Sequence, residues 1–114
     1  MSRPVYPIRR VSELELRDIF NASGYLERLE RCELEAVILE QHHPAPPLAG
    51  EPICTWSRSY SLRERKTGVE MARLHQYDRP DGTIGLSGKP DPKRVLKDGV
   101  LYRLHKKNQA SPSS

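Results

Sequence analysis

Apolar residues recur along this chain with two different periods, and a proline-rich stretch in the middle separates them. In the first half, Leu16, Ile19 and Phe20 fall at i, i+3 and i+4, the spacing of one helical face. Ser12-Glu13-Leu14-Glu15 precedes them with the serine-to-glutamate spacing of a capping box, and Gly24 supplies a stop. These signals predict a helix over 13–22. Tyr25, Leu29, Cys32, Ala36 and Leu39 then recur at spacings of 4, 3, 4 and 3, which predicts a second helix over 25–41. Glu27 and Arg31 add an i,i+4 pair in the favoured order. The run Ala36-Val37-Ile38-Leu39 is wider than one stripe. It fits a helix end buried on two sides or a buried strand, and the preceding period favours the helix.

Beyond the loop His42–Gly50 the period changes to two. Cys54, Trp56, Arg58, Tyr60 and Leu62 alternate with Thr55, Ser57, Ser59 and Ser61. Such alternation in β-branched and aromatic company reads as a strand. Arg65-Lys66-Thr67-Gly68 is a turn, and 69–78 returns as the partner of 54–64 in an antiparallel hairpin. Arg79-Pro80-Asp81-Gly82 has type I turn chemistry, 83–86 reads as a short strand and 87–92 as an irregular loop. Asp98-Gly99 joins two further strands, 95–97 and 100–102, as a two-residue type I′ hairpin. Pro4 and Pro7 keep residues 1–11 extended, where Val5, Tyr6 and Ile8 could add a short edge strand.

The predicted class is α+β: two N-terminal helices packed on a four- to five-stranded, mainly antiparallel sheet formed by the C-terminal half. Residues 1–105 are expected to form a single domain, helical over 12–41 and β-rich over 52–104, with 106–114 a disordered tail. Trp56, Tyr60, Leu62, Met71, Leu74, Ile84, Val95 and Leu101 would supply the sheet side of the core.

At 114 residues the chain sits near the lower end of what one core can stabilise, so a homodimer would be an economical way to gain burial. No apolar run approaches the roughly 18 residues of a membrane span, and the first residues lack the apolar stretch of an export signal. A cytoplasmic location is therefore expected, with Cys32 and Cys54 reduced and half-buried. Their spacing offers no zinc motif, and no cofactor signature is present.

Charge is uneven. Residues 1–50 carry six Arg/Lys against eight Asp/Glu, a net −2, whereas 51–114 carry thirteen against seven, a net +6. An anionic partner for the second half follows naturally.

Three clusters bear on chemistry. Thr83-Ile84-Gly85-Leu86-Ser87-Gly88-Lys89-Pro90 resembles a phosphate loop only superficially: Thr83 stands where its first glycine belongs, and Pro90 where its Ser or Thr belongs. A glycine-rich loop with Lys89, Lys93 and Arg94 could still hold phosphate through backbone N–H groups and charge. His42-His43 would need distant carboxylates to hold a metal. The strongest cluster lies on the first hairpin. If Leu62 stands opposite Met71, then Arg58, Tyr60, Arg73, His75 and Tyr77 share one face. Aromatic rings there would stack on bases while arginines meet phosphates. With His75 and Tyr77 as acid and base and Arg73 stabilising a charged transition state, the same set would cleave RNA without a metal. A structural reading competes: the tyrosines pack under the helices, and one bulge would scatter the cluster.

The expected function is a small non-enzymatic binding module whose basic β face engages nucleic acid or an acidic protein surface. A metal-independent ribonuclease of toxin type is one alternative. A protein-directed accessory or inhibitor protein of a mobile element, using the glutamate-rich segment 27–40, is the other. A helix-turn-helix over 13–39 is disfavoured because Glu27, Glu30, Glu33 and Glu35 would face phosphates.

Overall fold

The computed structural model describes residues 5–85 and 88–106, with the backbone alone over 40–43. In chain order the elements are β1 (Ile8–Val11), α1 (Glu13–Ser23), α2 (Tyr25–Glu30), β2 (Leu34–Pro44), a single 3-10 turn at Pro47–Ala49, β3 (Trp56–Glu64), β4 (Glu70–Asp78), β5 (Asp91–Lys97) and β6 (Val100–Leu104). The strands form one sheet in the order β1-β6-β5-β4-β3-β2. All neighbours are antiparallel except β1 with β6. The α+β class stands, but the sheet has six strands instead of four or five.

One extra strand comes from a segment expected to be helical. α2 ends at Glu30, and Cys32 turns the chain with a left-handed φ of 62°. The Cys32 N–H donates to the Leu29 carbonyl at 3.0 Å and the Glu33 N–H to the Arg28 carbonyl at 2.9 Å, which closes that turn. Arg28 and Arg31 reach the Glu33 carboxylate across it at 3.0 and 2.7 Å. Beyond it the chain extends as β2 at the sheet edge. The residue that enters the core is Leu34, fully buried, while Cys32 and Ala36 of the supposed stripe are exposed. Val37 and Ile38 are β-branched and suit the extended backbone. The other extra strand is β1, which pairs through Ile8 to Val11 rather than Val5 and Tyr6.

Local turn chemistry behaves as read. The Ser12 hydroxyl accepts from the Glu15 N–H at 3.1 Å, and Gly24 ends α1 with φ 74°. Asp98 and Gly99 both adopt left-handed backbone, φ 52° and 77°, as a type I′ turn requires. Residues 83–85 do not form a strand: Ile84 makes an isolated pairing with Asp78, and Leu86, the last residue of the expected strand, lies outside the described residues. β5 begins at Asp91, earlier than expected. It accommodates Pro92 because the ladder to β4 is bulged there.

Both helices pack on one sheet face. Leu16 and Phe20 of α1 and Tyr25 of α2 meet Leu34, Tyr60, Leu62, Ala72, Leu74 and Val95 in one buried cluster. Each leucine, valine or phenylalanine of the cluster contributes roughly 1.5–3 kcal/mol on full burial. Trp56, expected in this core, is 43% exposed, and Leu101 pairs on the opposite face beside Leu96. Cys32 and Cys54 are free thiols and are exposed, not half-buried. Among the described residues no helix is long and apolar enough to cross a membrane.

Candidate functional site

A bulge divides the cluster that the hairpin seemed to assemble. Counting from the β3–β4 turn, Arg63 pairs with Glu70, but Leu62 then pairs with Ala72, leaving Met71 as the extra residue. Without the bulge Leu62 would stand opposite Met71, as expected from sequence. With it, Tyr60 pairs with Leu74 and Arg58 with Gln76. Arg58 and Tyr60 therefore lie on the helix-covered face. Arg73, His75 and Tyr77 lie on the other, opposite Ser61, Ser59 and Ser57.

Tyr60 is a core residue. Its hydroxyl donates to Gln76 Oε1 at 2.8 Å, and burial pushes its phenol above the ordinary value. Arg58 pairs with Asp78 at 3.1 Å and lies 5.4 Å from the centre of the Tyr60 ring. Neither reaches the open face. There, His75 Nε2 sits 2.7 Å from Ser57 Oγ, and the Tyr77 ring meets the imidazole edge-on at 4.7 Å.

The most unusual feature of the helix-free face is a row of arginines. Arg10 of β1 pairs with Arg103 of β6, Arg103 with Arg94 of β5, and Arg94 with Arg73 of β4. Directly paired residues share a face, so four arginines lie on one face across four adjacent strands. With strands about 4.8 Å apart the row spans roughly 14 Å. Like charges directly opposite one another destabilise a sheet, so the row runs against ordinary cross-strand pairing.

One carboxylate tempers it. Glu70 receives Arg73 at 3.2 Å and Arg94 at 3.5 Å, and it also accepts from the Ser61 hydroxyl. Among the described residues neither Arg10 nor Arg103 pairs with a carboxylate, although Arg10 donates to the Leu104 carbonyl at 3.0 Å. Desolvation, then Arg73 and Arg103, pushes the Arg94 guanidinium below its ordinary value. Toward the Asp98-Gly99 turn, the next row is apolar: Ile8, Leu101 and Leu96. Where β3 turns into β4, the row opens into a cavity of about 610 Å³ bordered by Tyr6, Arg63, Glu70 and Arg73.

The remaining predicted residues fall elsewhere. Lys89 borders two small cavities beside α1 and α2, and His75 and Tyr77 border one of them as well. Lys93 is tied to Asp91 at 3.0 Å, and Asp91 also takes Arg17 of α1 at 3.2 Å. Only Arg94 of the three basic residues in that segment joins the arginine face. The glutamate-rich segment 27–40 is not a single helix: Glu33 is spent on the turn after α2, and Glu35 pairs with Arg65 at 3.6 Å. The side chains of His42 and His43 lie outside the described residues.

Arg10, Arg63 and Arg103 were absent from the sequence-derived site. The pairing of Arg94 with Arg103 follows by counting outward from the Asp98-Gly99 turn. Arg10 carries no such signal, because its parallel partner is more than ninety residues away. Searches for known relatives found no matching protein-family model, no matching curated protein and no matching solved structure.

Proposed function

We propose that this chain is a non-enzymatic module that binds the phosphate backbone of nucleic acid on the helix-free face of its sheet. The observation that carries the reading is the row Arg10-Arg103-Arg94-Arg73. Its self-repulsion works against the fold, and a linear polyanion laid along it would relieve that repulsion. Guanidinium groups suit phosphate because their forked donors meet its oxygens in pairs. Regular spacing on a rigid sheet favours a repeating anion over a single small one. The apolar row beside it offers sugars and bases a dry flank.

Anisotropy of end-labelled single- and double-stranded RNA and DNA, titrated at several salt concentrations, tests this. Binding should weaken steeply with salt. Every phosphate that the protein neutralises should add about 0.7 to the steepness of the log–log plot for single strands. The Arg94→Gln/Arg103→Gln double variant should lose most of the affinity while unfolding at an unchanged or higher temperature. Absence of salt-sensitive binding at low ionic strength, or indifference to the double variant, would overturn the reading. An acidic protein surface as partner would show itself as binding to polyglutamate but to no nucleic acid.

A ribonuclease is the second reading, motivated by Arg73, His75 and Tyr77 sharing the open face with the arginine row. Cleavage of labelled RNA in EDTA that His75→Ala abolishes would support it.

A further inference from the structure

The cavity at the β3–β4 turn lies against the end of the arginine row, and Arg73 belongs to both. We propose that it receives an unstacked nucleobase, which makes the ligand single-stranded rather than duplex nucleic acid. This inference rests on the binding function proposed above.

Three features carry it. The first is chemistry. The cavity borders include the Tyr6 ring, half-exposed on the segment that leads into β1, and the Arg63 guanidinium, steadied by Ser61 Oγ at 3.2 Å. Tyrosine rings and guanidinium planes are among the protein groups on which any base stacks, regardless of sequence. Val69 adds an apolar border, and Gly68 holds the turn with φ 75°, where no side chain intrudes.

The second is size. About 610 Å³ is ample for a base with its sugar and falls in the range of ordinary ligand clefts. A phosphate alone would leave most of it to water.

The third is shape. The row crosses four strands and spans roughly 14 Å, whereas the duplex major groove is about 12 Å wide and admits only a helix or a two-stranded ribbon. A duplex would touch this face along one backbone and leave the cavity unfilled. A single strand can lay its phosphates along Arg103, Arg94 and Arg73 and turn a base inward at Tyr6.

Anisotropy with a labelled single strand, its duplex and an abasic single strand of equal length, at one low salt concentration, provides the test. The single strand should bind at least 10-fold tighter than the duplex, and the abasic strand more weakly than the intact one. Tyr6→Ala should weaken intact single-strand binding roughly 5- to 150-fold, the range for removing one stacked base. It should leave the salt slope and the abasic strand unaffected, and Tyr6→Phe should restore binding. Thermal melts of both Tyr6 variants within a few degrees of the parent show that the face is intact. If abasic and intact strands bind alike, or the duplex binds best, while Arg94→Gln/Arg103→Gln still abolishes binding, the base cavity is wrong and the arginine face survives. If nothing binds in a salt-sensitive way, the binding function itself is wrong.

Discussion

Arg73 and Arg94 stand directly opposite each other on adjacent central strands and share a single carboxylate, that of Glu70. A sheet selected for stability alone would place opposite charges or β-branched residues at such a pair. Here the acid reaches the arginines from one end of β4 and occupies donors that a phosphate would otherwise use. Glu70 is thus the counter-ion of the helix-free face and, under the proposed function, a competitor for phosphate. Glu70→Gln should lower stability by roughly 1–3 kcal/mol, since the charged donors lose their anionic acceptor. The same change should tighten binding to single-stranded nucleic acid several-fold at low salt. Urea unfolding and anisotropy measure the two effects. Lower stability with weaker binding would mean that Glu70 positions the arginines instead of competing for them.

Removing an arginine that has no acidic partner among the described residues should have the opposite effect on stability. Arg103 stands between Arg10 and Arg94 and contributes to holding the Arg94 guanidinium below its ordinary value. Arg103→Thr replaces a repelled cation by a strand-favouring residue. It should raise stability by about 0.2–1 kcal/mol while lowering affinity and the salt slope. A variant that is more stable and less functional is the signature of a residue kept for function. A melting temperature that falls would show that Arg103 supports the sheet in a way its charge pairing does not reveal.

How much of this was legible in the sequence depended on whether local chemistry decided it. The Ser12 cap, the Gly24 stop and the Asp98-Gly99 hairpin are set by residues within a few positions of each other, and all three form as read. β2 looks helical in sequence because Tyr25, Leu29, Cys32, Ala36 and Leu39 keep a helical period by coincidence. The turn that ends α2 rests on the left-handed Cys32 and its backbone hydrogen bonds, with Arg28 and Arg31 meeting Glu33 across it, none of which apolar spacing registers. The site was split by one extra residue, Met71, because strand side chains alternate with a period of two. The arginine row then emerged from three separate pairings, of which only that of Arg94 with Arg103 is local.

That same bulge gives a prediction that separates the two faces. Tyr60 lies under the helices, with its hydroxyl on Gln76, so Tyr60→Phe should cost about 1 kcal/mol of stability and leave nucleic-acid binding unchanged. An unbulged hairpin would put Tyr60 beside Arg73, and binding would then fall as well.

Tyr60 also carries a pH signature that it shares with Tyr25, whose hydroxyl donates to the Leu96 carbonyl. Burial raises both phenols above the ordinary 10.0. The unfolded chain therefore loses these protons at a lower pH than the folded one. The stability they provide is complete below about pH 10 and is lost as pH rises through the folded values. Melting temperature should be insensitive to these groups at neutral pH and fall above about pH 10. The fall should be shallower in Tyr25→Phe or Tyr60→Phe. An equally steep fall in both variants would assign it to other groups.

Gly85 anchors the loop beyond β4 and lies so close to Glu51 that a side chain there would require the glutamate to shift. Its N–H donates to the Tyr77 carbonyl at 2.8 Å, which fixes the end of the strand bearing His75 and Tyr77. A Cβ built on Gly85 would lie 2.6 Å from the Glu51 carboxylate. That carboxylate is only 3% exposed and is held by Arg79 at 2.7 Å, so it has little room to withdraw. Gly85→Ala should therefore destabilise by about 1–3 kcal/mol, the usual range for overpacking. Glu51→Ala alone should also destabilise, because it leaves Arg79 without that acceptor. In the double variant the clash is gone, so the two losses should sum to less than their separate values, with a coupling of about 1 kcal/mol or more. Denaturant unfolding of the four proteins measures that coupling, and strict additivity would mean that Glu51 is not what excludes a side chain at position 85.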